Sequence, residues 1–156
     1  MSNTTTRDTT TTIQKAAFSK MLVAIDGSDS SMDAADYAIS MSKEYNAELY
    51  ALHVIRADVD IFGPPETSEF MTRMRNDGEK YLDKVKLKAN EKNVQIKTEI
   101  ISTMNISGGI IDYAEENNFD LIVIGTRGRS EFKKLLLGSV ASHIVTYAHC
   151  PVLVVK

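Results

Sequence analysis

From Phe18 onward the chain alternates short, continuous apolar runs with longer stretches in which apolar residues return every three or four positions. The runs are Met21 to Ile25, Leu49 to Val54, Leu121 to Ile124 and Val152 to Val155, and Val94 to Ile101 is a fifth segment that alternates more. Segments of this length, rich in Val, Ile and Leu, read as strands, and continuous apolarity is what a strand needs when helices cover both of its faces. Helical spacing fills the intervals. Ala35, Ala38, Ile39 and Tyr45 share one helical face, as do Met71, Met74, Tyr81, Val85 and Ala89, then Ile106, Ile110 and Ala114, and last Leu137, Val140, Ile144 and Ala148. Strands alternating with helices give βαβ units with right-handed crossovers. The expected fold is therefore α/β, an open, doubly wound, five-stranded parallel sheet in order 3-2-1-4-5 with four helices.

Residues 1–17 break this pattern. They are rich in threonine and offer almost nothing that could pack, so the entropy cost of ordering them goes unmatched and they read as a flexible tail. One domain is expected over 18–156. Residues 55–66, with Gly63-Pro64-Pro65, form the long internal connection, a kind of loop that often covers a site or a partner surface. With 156 residues, 43% of them apolar, the chain can bury a full core without metal or disulfide. The lone Cys150 cannot form an internal bridge, and no apolar run approaches the roughly 18–20 residues of a membrane helix, so the expected location is cytoplasmic. A net charge of −3 has the wrong sign to attract nucleic acid.

In an open α/β sheet the ligand sits outside the carboxyl ends of the strands, where strand order reverses. The first strand ends on Asp26-Gly27-Ser28 and the fourth on Gly125-Thr126-Arg127-Gly128. Asp26 has two readings: a carboxylate accepting hydrogen bonds from a base or ribose, or a residue that caps the turn into a helix at Ser30-Ser31. Gly125 and Gly128 bracket a turn in which backbone N–H groups can approach an oxyanion and φ can turn positive. Gly138-Ser139 opens a helix whose free N–H groups, dipole and Ser139 hydroxyl can address a phosphate. The competing reading makes Gly138 a flexible joint and Ser139 an ordinary N-cap. Arg127, Arg129, Lys133 and Lys134 cluster between these elements, and Arg127, inside the loop, is the one expected to touch a phosphate. No P-loop lysine motif and no G-x-G-x-x-G turn is present, which disfavours fast phosphoryl transfer and a dinucleotide site. His53, His143 and His149 lack metal spacing and a nucleophile partner; His53 reads as a strand-end residue and the other two as polar residues at helix ends.

Gly125, Gly128, Gly138 and Ser139 reproduce the spacing G-x2-G-x9-G-[ST]. Together with Val23 to Ser28, His53-Val54 and Cys150 to Val155, they make the chain from Phe18 to Lys156 resemble the ATP-binding branch of the universal stress protein family. That branch has an adenine nucleotide alpha hydrolase-like fold. The resemblance implies ATP as ligand, with adenine near Ala24, Ile25, Asp26 and the backbone of Val54. It implies ribose and phosphates on Gly125 to Gly128, including Arg127, and outer phosphates on Gly138, Ser139 and Val140. Ala24-Ile25 departs from the small polar or proline residues often found there, and the threonine-rich tail is longer than usual. The implied function is a nucleotide-dependent regulatory module acting in stress response on an unknown protein partner. The alternatives are a slow Mg²⁺-dependent ATPase and a dimeric interaction protein without nucleotide. In order 3-2-1-4-5, Val152 to Val155 forms a sheet edge that invites antiparallel pairing into a homodimer.

Overall fold

Nine elements alternate along the chain: β1 (Lys20–Ala24), α1 (Asp29–Tyr45), β2 (Glu48–Arg56), α2 (Glu69–Glu91), β3 (Ile96–Thr103), α3 (Ile106–Glu116), β4 (Leu121–Gly125), α4 (Ser139–Tyr147) and β5 (Val152–Val155). They belong to a computed structural model that describes residues 18–57, 69–126 and 137–156. The sheet runs β3-β2-β1-β4-β5 and all four ladders are parallel. Strand β1 is central: Met21 pairs with Leu49 on one side and Leu121 on the other.

The two-residue repeat of each strand sends its apolar side chains to two separate cores. Met21, Val23, Ile25, Leu49, Ala51, Leu121 and Val123 meet α1 and α2 through Ala34, Ala35, Ala38, Ile39, Leu82 and Val85. On the other face Leu22, Leu52, Ile122 and Ile124 meet α3, α4 and the turn before β4 through Ile110, Ile111, Ala114, Phe119, Ala141 and Ile144. All of these are buried, and each fully buried Leu or Ile contributes about 1.5–3 kcal/mol over exposure. The doubly wound arrangement is thus the one the apolar runs require.

Helix ends follow from local chemistry. Ser28 caps α1 by accepting from the Ser31 N–H, and Asn105 caps α3 by accepting from the Gly108 N–H. Asn46, Asn93 and Asn118 stand just past the C-terminal ends of α1, α2 and α3 with φ of 53°, 57° and 56°, the left-handed conformation that asparagine tolerates better than most residues. One expectation fails in α4. Leu137 and Ala148 lie outside the helix, so its buried face is set by Ala141 and Ile144, while Val140 in the first turn is 39% exposed.

Two contacts fix how close the layers come. A Cβ on Gly125 would stand 2.7 Å from both the carbonyl carbon and the carbonyl oxygen of Ser30, so the end of β4 can lie against the start of α1 only without a side chain. At the opposite end of the sheet, Ser19 donates to Asp120 Oδ2 through its N–H at 2.8 Å and its hydroxyl at 2.7 Å, and the Lys20 N–H donates to Oδ1 at 3.1 Å. Burial pushes the Asp120 carboxyl pKa up, but the bonds from the Ser19 hydroxyl, the Ser19 N–H and the Lys20 N–H outweigh it and hold it below the ordinary carboxylate value.

Gly125→Ala should lower stability by about 1–3 kcal/mol through overpacking against Ser30, read as a lower urea midpoint at unchanged slope. Asp120, with its depressed native pKa, contributes stability above the unfolded carboxyl value of about 3.9, and that contribution disappears as pH falls through the native value. The urea midpoint of wild type should therefore exceed that of Asp120→Asn at pH 7, and the gap should narrow as pH falls below the unfolded carboxyl value of about 3.9.

Candidate functional site

The carboxyl ends of β1, β2 and β4 part over a cavity of about 410 Å³, within the size range of small-molecule sites. Strand β1 and its exit bring Ala24, Ile25 and Asp26, β2 brings Val54 and Arg56, β4 and its exit bring Gly125 and Thr126, and the start of α4 brings Gly138, Ser139 and Val140. Of the residues expected from the sequence to hold a ligand, Ala24, Ile25, Asp26, Val54, Gly125, Gly138, Ser139 and Val140 therefore line one cavity. Arg127 and Gly128 lie outside the described residues, as do Arg129, Lys133, Lys134 and most of the connection between β2 and α2. Ile25 is 2% exposed and belongs to the α1–α2 core, whereas Ala24 and Val54 are half-buried and pack against the other core.

Asp26 serves the turn it was suspected of serving, though through a different residue. Its Oδ1 accepts from the Ser28 N–H at 2.9 Å and from the Ser28 hydroxyl at 2.5 Å, an Asx turn, and Ser28 is in turn the cap of α1. The helix therefore starts at Asp29, ahead of Ser30-Ser31. Both recorded bonds fall on Oδ1, on a half-buried side chain at the cavity wall. Between them Gly27 has φ of 83°, and a Cβ there would lie 2.5–2.7 Å from ring atoms of Tyr81.

The other end of the cavity is held by Thr126. Its N–H donates to the Val155 carbonyl at 2.9 Å and its own carbonyl accepts from the Gly138 N–H at 2.7 Å. One hydrogen bond thus joins the residue after β4 to the residue before α4, pinning the flanks of the 127–136 segment together. Gly138 is the N-cap, with φ of −67° and no side-chain cap bond, and Ser139 is the first helical residue rather than the cap. Any residue adopts that φ, so what glycine contributes is a bare approach to the first turn, whose N–H groups lack intrahelical acceptors and carry partial positive charge. Gly125 also has a different reason to be glycine than the one expected. Gly27 is the glycine of positive φ among the described residues, and Gly125 is required by the Ser30 backbone.

One wall was missed by sequence reading. Met74, Asp77 and Tyr81 of α2 line the cavity, and so does His53. The regular spacing had marked Met74 and Tyr81 as core positions, and periodicity alone does not distinguish a buried face from one that ends over a crevice. His53 is no strand-end residue; it lies within β2, 6% exposed, with Nδ1 2.7 Å from the Ile25 carbonyl oxygen. The signal that could have found it is Gly78, a helix-breaking residue inside α2, whose missing side chain leaves space for the His53 ring. Asp26 and Asp77 make the cavity acidic on two sides, with Arg56 as a cation at its edge. Among the described residues no group of three or more His, Cys, Asp or Glu side chains is arranged to hold a metal ion, and no helix is long and apolar enough to cross a membrane.

The sequence model of the universal stress protein family matches residues 17–156. A universal stress protein of Methanocaldococcus jannaschii is 40% identical over 141 residues, spanning 89% of this chain and 82% of that protein. The universal stress protein YxiE of Bacillus subtilis is 41% identical over 148 residues, spanning 89% and 99%. The solved structure of universal stress protein UspA from Lactobacillus plantarum matches with a TM-score of 0.83 at 27% identity, covering 91% of this chain and all of that one. Two structures of lower identity share the fold. One is the universal stress protein of Archaeoglobus fulgidus in complex with dAMP (TM-score 0.70, 19% identity, 90% and 100% covered), and the other a family protein of Arabidopsis thaliana with AMP bound (0.66, 24%, 88% and 91%). With the family matched over residues 17–156 and two relatives at 40% identity or above, the chain belongs to the universal stress protein family.

Proposed function

We propose that the chain binds ATP and acts as a nucleotide-dependent regulatory module in the cytoplasm, its bound state altering its surface for a protein partner. The observation that carries this reading is the Thr126–Gly138 hydrogen bond. It brings the exit of β4 and the open N-terminus of α4 to one end of a cavity whose other end is formed by Ala24, Asp26 and Val54. The first turn of α4, which no side chain caps, offers backbone N–H groups at that end that suit a phosphate. The half-buried apolar wall of Ala24 and Val54, with a carboxylate beside it, suits a nucleoside. Relatives of the same fold hold AMP and dAMP, adenine nucleotides with the same base.

In this reading adenine meets Ala24, Ile25 and Val54 and the Asp26 carboxylate accepts from ribose or base. The phosphates run past Gly125, Arg127 and Gly128 to Gly138, Ser139 and Val140. Mg²⁺ would enter with the phosphates, which supply ligands of their own.

Wild-type protein should carry nucleotide through purification and bind ATP in calorimetry. Gly128→Val should stay folded and lose binding, because a branched side chain fills the space the glycine leaves. A folded Gly128→Val protein with wild-type ATP affinity would remove the loop from the site. Asp26→Asn keeps an oxygen to accept from Ser28 but turns the other carboxylate oxygen into an NH₂ donor, so the turn survives while nucleoside recognition weakens by about 1–3 kcal/mol. Equal losses for ATP and for inorganic triphosphate would contradict that assignment.

We propose also that two copies pair along β5. Val152, Leu153 and Val154 are half-buried in a strand at the sheet edge, with no charge or proline inside it, and an unprotected edge of this kind invites strand pairing about a two-fold axis. Light scattering at tens of micromolar should report a dimer, and Val154→Pro, which removes a ladder donor, should shift it toward monomer. A wild type that stays monomeric at that concentration would end the edge-pairing reading.

A further inference from the structure

We propose that His53 is the positioning residue of the nucleoside end of the cavity: its Nδ1–H holds the peptide at which β1 ends, and its ring sets the α2 wall. This rests on the nucleotide-binding reading and adds to it a residue that the expected contacts do not include.

The backbone register shows what the ring replaces. The pairing of β1 with β2 ends at Ala24 opposite Leu52, and the last rung is the Ile25 N–H donating to the Leu52 carbonyl at 2.9 Å. In a parallel ladder the next donor to reach the Ile25 carbonyl would be the Val54 N–H. The His53 ring comes to that carbonyl instead, with Nδ1 at 2.7 Å. A carbonyl oxygen only accepts, so Nδ1 carries the hydrogen. The ladder is handed from backbone to side chain at the point where the two strands part, and the Ile25–Asp26 peptide is held in place although it lies beyond the strand. Asp26, its Asx turn and the cap of α1 all follow directly from that peptide.

The rest of the ring is packed as closely. A Cβ on Gly78 would collide with His53 Cδ2 and stand 3.0 Å from Nε2. Tyr81, one turn further along α2, meets the ring edge-on with centroids 5.6 Å apart and itself covers Gly27. His53 therefore touches both walls of the nucleoside end, the β1–α1 turn through a hydrogen bond and α2 through contact. A purely packing residue would need the ring and not the donor.

The three substitutions His53→Ala, His53→Asn and His53→Gln separate these roles, because the Asn amide nitrogen falls where Nδ1 is and the Gln amide nitrogen where Nε2 is. With AMP and ATP as probes in calorimetry, His53→Asn should stay within about threefold of wild type, while His53→Ala and His53→Gln each lose about tenfold or more for both nucleotides. In the ligand-free protein, the amide NMR signals of Asp26, Gly27 and Ser28 should move in Ala and Gln and return toward wild type in Asn. A folded His53→Ala protein with wild-type affinity and unmoved turn amides overturns the proposal. So does rescue by Gln and not by Asn, and that pair decides alone if the Ala protein does not fold. A wild type that binds neither nucleotide ends the nucleotide reading, and the turn amides of the ligand-free variants then decide for or against His53 by themselves.

Discussion

A parallel strand that is apolar on both faces must be covered twice, and the position of every other part of this molecule follows from that requirement. Met21 and Val23 face one core and Leu22 the other, all at 0% exposure. Helices therefore have to cross on both sides of β1, and the chain must leave that strand toward α1 on one side while β4 supplies the neighbouring exit toward α4 on the other. The crevice between those exits is a geometric by-product of double coverage. Its chemistry is then a matter of which residues end the strands.

At those ends the regular backbone bonding has to stop, and the protein replaces it with side-chain and single-backbone bonds. The His53 ring takes over from the ladder of β1, the Ser28 side chain from the missing turn of α1, and the Thr126 carbonyl receives Gly138 where β4 has run out. Each replacement gives a partner to a polar group that the ending ladder or helix leaves without one. The same replacements shape the cavity wall, so stability and the form of the cavity draw on one set of residues here. The Asp120–Ser19 bonds at the far end of the sheet tie the start of β1 to the turn before β4 without shaping the cavity.

The sheet order, the strands and the helix faces were legible in the sequence because burial imposes periods of about two and 3.6 residues, and those periods survive in the residue types. The Val140 face of α4 was misread because a helix of only nine residues shows too few repeats to fix its phase. Asp26, Gly125, Gly138 and Ser139 were legible as cavity residues because strand ends and glycines punctuate the sequence, whereas Ala24, Val54 and Val140 were implied only by the family resemblance. The α2 wall was not, since Met74, Asp77 and Tyr81 approach the site through tertiary packing that no local pattern encodes. The role of His53 was hidden for the same reason: its partner, the Ile25 carbonyl, is a backbone atom 28 residues away, and backbone atoms leave no trace in residue identity.

The bond from the Gly138 N–H to the Thr126 carbonyl has a consequence for how such a site can diversify. With Thr126 and Gly138 tied to each other and to β5, the sequence between them begins and ends at one fixed point, and joining such a point through a flexible segment costs only about 0.6 kcal/mol more for each doubling of length. Insertions, deletions and changes of charge in that stretch therefore scarcely reach the core. The rim of the cavity can thus be altered while the scaffold keeps its stability, without the fold being rebuilt for each change.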